Sequence, residues 1–299
     1  PPVVGRRGQQ GGAQRGSPVD RLLGLSLPRM IPPRVSILIP TLDGAADLDR
    51  LLPALARQRV EGGVELRAVD SSSTDGTVER LRRAGASVEV IPRTEFRHGA
   101  TRNTLARGAR GEFLLFLSQD AVPDGDSFIA TLLAAFERDP RLAGATARVL
   151  PHADDDPLTA RTVLGAPEAR ARTQVMGGDE GEPRFNNVAG MVRASVFREV
   201  PFPDVTFGED FVWATQLIAR GWRVAFVAEA VVRHAHRYGP RAAFERYRTD
   251  ARFHREELGH IVRPSVRSVA RGLLFELRED LRFVRANRAP LRHLLRAPG

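Results

Sequence analysis

The sequence predicts an α/β fold in which a mostly parallel sheet is flanked by helices. From Arg34 onward, short runs of β-branched and apolar residues alternate with segments of helical periodicity. The strand-like runs are almost continuously apolar, which is typical of strands covered on both faces. Residues 1–33 show neither pattern and are rich in Gly, Pro, Gln and Arg, which predicts a flexible basic tail before the fold begins.

Strands and helices are predicted in alternation along the first half of the chain. The strands are predicted at Val35–Ile39, Val64–Val69, Ser87–Ile91, Glu112–Leu117 and Leu142–Val149. The helices between them are predicted at Asp47–Gln58, Thr77–Ala84, Ala100–Ala109 and Ser127–Arg138. In the first helix, leucines at 48, 51, 52 and 55 recur at helical spacing and therefore share one face. The polar stretch 150–184 predicts a long loop, either functional or disordered.

The composition excludes several kinds of chemistry. The 299 residues contain no cysteine, which excludes disulfides, cysteine-ligated zinc, iron–sulfur clusters and thiol nucleophiles. All 45 basic residues are arginines, so a Walker A phosphate loop and Schiff-base chemistry, which need a lysine amine, are excluded as well.

The net charge of +9 comes from the two ends of the chain. Residues 1–34 carry six arginines and one acid, and residues 263–299 carry nine arginines and three acids, which leaves the middle slightly acidic. No basic stripe interleaved with aromatic residues occurs in the middle, so we do not expect nucleic-acid binding. No apolar run has the length of a membrane span or a leader, and we expect a cytoplasmic protein.

These patterns divide the chain into a tail at 1–33, an α/β domain at 34–238 and a helical, arginine-rich extension at 239–299. The extension contains an amphipathic segment. Its apolar positions are Val266, Val269, Ala270, Leu273, Leu274, Leu277, Leu281 and Val284, and its arginines are Arg263, Arg267, Arg271, Arg278, Arg282 and Arg285. Such a helix either lies on an anionic membrane surface, through residues 263–296, or packs against protein with its arginines solvated. The sequence leaves these alternatives open.

Acids and hydroxyls follow the predicted strands. The segments after the strands are 40–43 (PTLD), 70–77 (DSSSTDGT), 93–98 (RTEFRH) and 118–120 (SQD). Ligands of parallel α/β sheets bind at the carboxyl ends of the strands, so we expect these segments to form the functional site. No Gly-x-Gly-x-x-Gly follows the first strand, which disfavours a dinucleotide site.

The motifs at these strand ends resemble family 2 glycosyltransferases of the GT-A fold. They are, in chain order, VSILIPTLDG, AVDSSSTDGT, LSQDAVP and a GED turn before a helix. The EFRHGATRN, FNNV and HAHRY segments resemble the rhamnosyltransferase branch more specifically. The resemblance covers residues 35–255. It implies a Rossmann-like GT-A sheet with a nucleotide-binding half at 34–120 and an acceptor half at 121–238.

The resemblance also implies a set of nucleotide-binding residues. They are Pro40, Thr41, Asp43, Asp70, Arg102, Ser118 and Gln119. A carboxylate at Asp70 can accept the imide N–H of uracil or thymine, whereas Asp70 and Asp75 can also cap the next helix through an Asx turn. The guanidinium of Arg102 suits phosphate oxygens, the alternative being a solvated position on a helix surface.

A metal site is implied at Asp120, which would hold Mg²⁺ or Mn²⁺ against the diphosphate. The family usually has Asp-x-Asp at this place, and here Ser118 replaces the first acid. His234 matches a late histidine that reaches the cation in many GT-A enzymes. It forms a His-x-His pair with His236, and a purely structural histidine is the alternative.

Asp210 is implied as the general base, with Glu209 in support. The dipole of the helix that follows favours an ionised carboxylate, although both residues are also ordinary first-turn residues of a helix. Asn187 and Trp213 are implied in the acceptor pocket.

The function that the resemblance implies is that of an inverting, metal-dependent glycosyltransferase. The donor would be dTDP-L-rhamnose or another dTDP- or UDP-sugar, and the acceptor a hydroxyl of a polysaccharide, a glycolipid or a lipid-linked intermediate. The enzyme would work in the cytoplasm, at the inner face of the plasma membrane if the extension binds lipid, and a homo-oligomer is left open. The alternative is a non-catalytic nucleotide-sugar-binding scaffold, which the replacement of an acid by Ser118 supports.

Overall fold

The computed structural model describes residues 32–178, 184–235, 239–257, 259–288 and 290. In these residues, nine strands form one sheet. The strands are β1 Val35–Thr41, β2 Val64–Asp70, β3 Ser87–Val90, β4 Phe113–Leu117, β5 Val122–Pro123, β6 Leu142–Leu150, β7 Gln174–Met176, β8 Ala189–Arg193 and β9 Arg223–Arg233. Their order is β3-β2-β1-β4-β8-β6-β9-β5, and β7 pairs with β9.

Most of the strands point in the same direction. Strands β1 to β4 pair in parallel, and β6 and β9 pair in parallel farther along the sheet. Strand β8 lies between the two groups and is antiparallel to both β4 and β6, so β6 and β9 point the same way as β4. The carboxyl ends of β1, β2, β4, β6 and β9 therefore lie at one edge of the sheet.

Helices pack on both faces of this sheet. The helices of the described residues are α1 Ala45–Ala56, α2 Thr77–Arg83, α3 His98–Arg107, α4 Phe128–Arg138, α5 Pro157–Gly165, α6 Ala194–Glu199, α7 Glu209–Ala219, α8 Pro240–Glu257 and α9 Val266–Ala286. The strands and helices predicted for the first half of the chain are confirmed to within two residues at each end. The fold class, an α/β sheet that is mostly parallel and flanked by helices, is confirmed as well.

Two apolar clusters explain why the strands are apolar almost throughout. Ile37 and Leu115 point into a cluster with α1 and α4, whereas their neighbours Leu38 and Phe116 point into a cluster with α3 and α7. Successive side chains of a strand alternate between faces, so a strand covered on both sides needs apolar residues at every position.

The long loop predicted at 150–184 is wrong over much of its length. Helix α5, a 3₁₀ turn at Pro167–Ala169 and strand β7 all lie within it. The side chain of Asp156 caps α5 by accepting from the backbone N–H groups of Leu158 and Thr159. Strand β7 has no periodicity of its own and exists because it pairs with β9. Residues 179–183 lie outside the described part of the chain.

Two long helices, α8 and α9, form the described part of the extension predicted at 239–299. No helix in the described part of the chain is both long and apolar enough to cross a membrane. The tail predicted at 1–33 lies outside the described residues up to Ile31, and the three-part division of the chain remains a prediction.

Candidate active site

The ends of β1 and β2 meet through a hydrogen-bonded carboxylate. Thr41 and Asp70 are register partners, and the Thr41 hydroxyl donates to Asp70 at 2.8 Å. The buried Asp70 carboxylate also accepts from the backbone N–H and the hydroxyl of Ser73, at 2.8 and 2.5 Å. Oδ1 accepts one of these bonds and Oδ2 accepts two, so the carboxylate keeps the capacity to accept one more donor. The nucleotide-binding roles of Thr41 and Asp70 remain predictions, as does that of Pro40, which lies within β1 beside them.

The turn after β1 is hydrogen-bonded to the turn after β2. Asp43 has a left-handed backbone (φ +43°), its N–H donates to Ser73 Oγ at 2.7 Å, and its carboxylate accepts from the Thr74 N–H at 2.9 Å. Asp75 accepts from the N–H of Thr77, in the first turn of α2, and from that of Ala45. Asp75 therefore has the capping role that the sequence left open, and it joins α1 to α2.

The turn after β4 is hydrogen-bonded to the turn after β1. Gln119 accepts from the Leu42 N–H at 2.9 Å and donates to the Leu42 carbonyl and to Asp47, at 3.1 and 3.0 Å. Its amide lies so close to Gly44 that an added Cβ would be 2.5 Å away. The Ser118 N–H donates to the Val188 carbonyl at 2.9 Å. In the structure, the polar groups of Gln119 hold the loop rather than face outward.

The two residues predicted to hold a metal lie side by side. Asp120 Oδ1 is 3.3 Å from His234 Nε2, and the two side chains are 20% and 10% exposed. Asp120 follows β4 and His234 follows β9, so strands far apart in the chain bring them together. His236 lies outside the described residues.

The spacing of this pair fits a divalent cation. Two ligands that each lie about 2.1 Å from one ion are about 3 Å apart when they subtend a right angle. A carboxylate oxygen and an imidazole nitrogen are a donor set that a transition metal accepts. In the described ranges, no three His, Asp or Glu side chains form a group suited to a metal. The remaining ligands would therefore have to be phosphate oxygens of a substrate and water.

Helix α7 begins with two acids, Glu209 and Asp210, which we call the acidic turn. A buried ion pair lies under this turn. Glu209 Oε1 accepts from Arg102 Nη1 at 3.3 Å and from the Asn187 side-chain amide at 3.1 Å. The Arg102 and Glu209 side chains are 8% and 6% exposed. Arg102 also donates to the carbonyl of His98, at the start of α3. Burial lowers the pKa of His98, so this imidazole is neutral at neutral pH.

Arg102 thus has a partner that the sequence did not indicate. Its guanidinium lies in the interior against Glu209 instead of on the surface of α3, which rules out the solvated alternative. Its predicted contact with a nucleotide diphosphate stays a prediction. The Arg102–Glu209 pair positions the acidic turn relative to α3.

Asp210 is the partly exposed member of the acidic turn. Its Oδ2 accepts from the Asn187 N–H and its Oδ1 from the Phe211 N–H, both at 2.9 Å. Burial and then the charge of Glu209 raise the pKa of Asp210 to about 6. The carboxylate is therefore mostly ionised at neutral pH and close to the range in which a general base works best.

The backbone of Asn187 and Val188 connects the two halves of the site. Asn187 donates to Asp210, and Val188 accepts from Ser118, two residues before Asp120. The acidic turn and the Asp120–His234 pair therefore lie at the same edge of the sheet, as expected for groups that act on one substrate.

The two residues predicted to line an acceptor pocket have other surroundings. Trp213 is fully buried among aromatic rings, and its indole N–H donates to the Val200 carbonyl at 2.7 Å. This side chain faces inward from α7 and fills the core, and its acceptor contact stays a prediction. Asn187 is 4% exposed and its amide faces Glu209, so it holds the acidic turn rather than an open pocket.

Sequence reasoning missed Phe253 of α8. Its ring packs on Gly208, the left-handed residue (φ +73°) before the acidic turn, where an added Cβ would be 2.5 Å from the ring. The ring also contacts Phe207 and Phe211 edge-on. A phenylalanine in an arginine-rich helix carries no local signal of such a contact.

The mostly parallel α/β sheet, flanked by helices, has the architecture of the GT-A glycosyltransferase fold. The family model of glycosyl transferase family 2 matches residues 36–192, and the chain belongs to this family. The O-antigen chain rhamnosyltransferases WbaN of Salmonella anatum and RfbN of Salmonella typhimurium are each 33% identical to it, over 230 and 229 residues. Each alignment covers 74% of this chain and 72% of the relative.

Solved structures share the fold. The mannosyltransferase PcManGT from Pyrobaculum calidifontis, solved with GDP-Man and Mn²⁺, aligns over 69% of this chain with a TM-score of 0.51 and 24% identity. TarS of S. aureus aligns over 74% with a TM-score of 0.54 and 19% identity. The chain spans 58% of PcManGT and 40% of TarS. The chain is thus a family 2 glycosyltransferase that resembles rhamnosyltransferases.

Proposed function

We propose that the enzyme transfers L-rhamnose from dTDP-L-rhamnose to a hydroxyl of a glycan, glycolipid or lipid-linked acceptor, with inversion and with a divalent cation. The observation that carries this proposal is the link through Asn187 and Val188, which puts Asp210 at the sheet edge that holds Asp120 and His234. A base and a cation ligand set at one edge are what a single displacement at an anomeric carbon requires.

Asp210 acts as the general base. It takes the proton of the acceptor hydroxyl while that oxygen forms its bond to the anomeric carbon and the bond from this carbon to the diphosphate breaks. One displacement of this kind inverts the configuration. Asp210 suits this role because its carboxylate is partly exposed and its pKa is about 6. Glu209 is engaged by Arg102 and Asn187 and supports Asp210 from within.

Asp120 and His234 would hold the cation, which supplies charge neutralisation for the departing diphosphate. The imidazole favours Mn²⁺ over Mg²⁺, because Mg²⁺ in proteins is held by oxygen ligands. The nucleotide would lie over the ends of β1 and β2, against Thr41, Asp43 and Asp70, where a base can exchange with the hydroxyl donors.

The identities of the sugar donor and of the acceptor are proposed from the names of the relatives. Both curated relatives carry the name O-antigen chain rhamnosyltransferase, which supports rhamnose as the sugar and a growing glycan as the acceptor. A lipid-linked glycan would bring the enzyme to the inner face of the plasma membrane, and this localisation is part of the proposal.

The test uses the full chain with Mn²⁺, a lipid-linked glycan acceptor and dTDP-L-rhamnose, UDP- or GDP-sugars in parallel. We expect dTDP release and rhamnosylated product with dTDP-L-rhamnose, and an inverted anomeric configuration by NMR. Asp210→Asn should lower the rate by about 10²- to 10⁴-fold, the usual contribution of a general base, without loss of donor binding.

Asp204→Asn is the matched control, since Asp204 lies in the loop before the same helix and is exposed. It should leave the rate within about twofold. Retention of configuration, or an Asp210→Asn variant as fast as the unaltered enzyme, would contradict the proposed mechanism. Exclusive turnover of a UDP- or GDP-sugar would contradict the proposed donor.

A further inference from the structure

Helix α9 has an apolar stripe that the rest of the described chain covers only in part. In its second half, Val284 is fully buried, and Asp280 and Glu276 pair with Arg161 of α5, both at 2.5 Å. These contacts attach the helix to the α/β domain. The first half of α9 makes no comparable attachment among the described residues.

The first half of the stripe faces outward. We define the docking surface as the apolar residues of this stripe and of the loop before it that are 40–87% exposed. They are Ile261, Val262, Val266, Val269, Leu273, Leu274 and Leu277. Single exposed apolar residues are ordinary, but seven of them along one loop and one helix face form the size of patch that marks an interaction site.

The docking surface carries a net positive charge. Residues 261–277 contain the exposed Arg263, Arg267 and Arg271, and their one acid, Glu276, pairs with Arg161 of α5. Arg267 lies beside the stripe at helical spacing, next to Leu274, where its guanidinium can reach headgroup phosphates.

We propose that the docking surface binds an anionic lipid bilayer, with the apolar side chains in the interfacial region and the arginines on headgroup phosphates. Three arginines against one acid that is already paired complement a negative surface, and apolar residues along an amphipathic helix add burial in the lipid. A second copy of this chain fits less well, because two such surfaces would bring arginines against arginines. The apolar stripe of α9 runs from the half of the helix that contacts α5 into the exposed half. The bilayer would cover the exposed half, which the described part of the protein leaves open.

The experiment measures co-sedimentation of the full chain with phosphatidylcholine vesicles that contain or lack phosphatidylglycerol. We expect binding to the anionic vesicles only, weakening as salt is added because exposed charges are screened. Leu273→Glu/Leu274→Glu and Arg267→Gln/Arg271→Gln should each lower the affinity at least tenfold. The altered side chains are exposed, so the thermal unfolding temperature should not change.

Matched controls lie elsewhere on the surface. Val64→Glu/Val90→Glu changes exposed apolar residues of β2 and β3, and Arg82→Gln/Arg83→Gln changes exposed arginines of α2. Both should bind vesicles like the unaltered chain. Donor hydrolysis by the docking-surface variants should also be unchanged, which separates this inference from the proposed sugar transfer.

Three results would overturn the inference. The first is the absence of binding to anionic vesicles. The second is binding that the docking-surface variants leave unaltered. The third is a dimer in light scattering that the same variants convert to monomer, since this would assign the surface to a second copy of the chain.

Discussion

The backbone N–H of Asn187 donates to Oδ2 of Asp210 at 2.9 Å. This bond joins a residue two positions before β8 to the first turn of α7. Because the next residue, Val188, is bonded to Ser118 at the end of β4, the acidic turn is held against the edge where Asp120 lies. The position of the acidic turn thus depends on the Asp210 carboxylate as an acceptor of this backbone N–H, together with the Arg102–Glu209 pair.

The reaction rate should depend on the ionisation of Asp210. Burial raises the pKa of this carboxyl from 3.8 to about 6, and only the ionised form can take a proton. We expect kcat to rise with pH through about 6 and to level off above neutral pH. The pH–rate profile of the enzyme checks this, and the residual activity of Asp210→Asn should lack the acid limb. A profile that stays flat for about one pH unit on either side of this pKa would contradict the assignment.

The raised pKa of Asp210 also predicts how the stability of the protein depends on pH. A carboxyl whose pKa is raised on folding stabilises the protein below its unfolded pKa, and this contribution is lost as the pH rises through the folded value. The unfolding temperature of the enzyme, relative to that of Asp210→Asn, should therefore fall as the pH rises from 3.8 to about 6. Calorimetry of both proteins across this range measures the difference, and an opposite slope would contradict a raised pKa.

Loss of either predicted metal ligand should weaken cation binding. We expect Asp120→Ala and His234→Ala each to lower Mn²⁺ affinity, measured by calorimetry in the presence of a nucleoside diphosphate, by at least about tenfold. A chelator should stop sugar transfer. Asp126→Ala, which alters an exposed carboxylate paired with Arg57, is the control and should bind Mn²⁺ normally. Equal affinity in all of these variants would contradict a cation site at Asp120 and His234.

Arg102→Met should destabilise the protein strongly. Arg102 and Glu209 are both buried, and removal of one partner leaves an uncompensated charge, at a cost of about 3 kcal/mol. Arg97→Met removes the exposed pair with Asp204 and should cost less than about 1 kcal/mol. Urea unfolding compares the two. The double variant Arg102→Met/Glu209→Gln should recover part of the loss, and a single variant as stable as the control would contradict a buried pair.

Gly208→Ala should impair catalysis more than Gly221→Ala. Both glycines have left-handed backbones, with φ of +73° and +83°, so both substitutions carry a strain of roughly 1 kcal/mol. An added Cβ at Gly208 lies 2.5 Å from the ring of Phe253, whereas nothing lies within 4 Å at Gly221. The clash at Gly208 should displace the turn that bears Asp210. Measured kcat should fall for Gly208→Ala and stay within about twofold for Gly221→Ala, and equal losses would contradict the packing role of Phe253.

Sequence patterns predicted five strands and four helices of the first half of the fold to within two residues because their signals are local. Each of them has a periodicity that a short window contains. The predictions missed strands that a long-range contact decides. Strands β5 and β7 both exist through their pairing with β9.

The functional site, too, could be predicted from sequence motifs but not in the contacts that form between distant segments. Asp120 and His234 were predicted as a pair, and they lie together because their strands end at the same sheet edge. The partner of Arg102 could not be predicted, since 107 residues separate it from Glu209. The contact between Phe253 and Gly208 could not be predicted either, because the two residues lie in separate elements of the fold.

The sequence by itself determined the fold class, the family and the set of acids and histidines predicted to carry the chemistry, because the alternation of strands with helices and the motifs can be read along the chain. Only the tertiary structure decided which of these groups are buried, which are paired and which remain accessible. Burial depends on what distant segments bring against a side chain, and it is burial beside Glu209 that raises the pKa of Asp210 and makes this carboxylate suitable as the base.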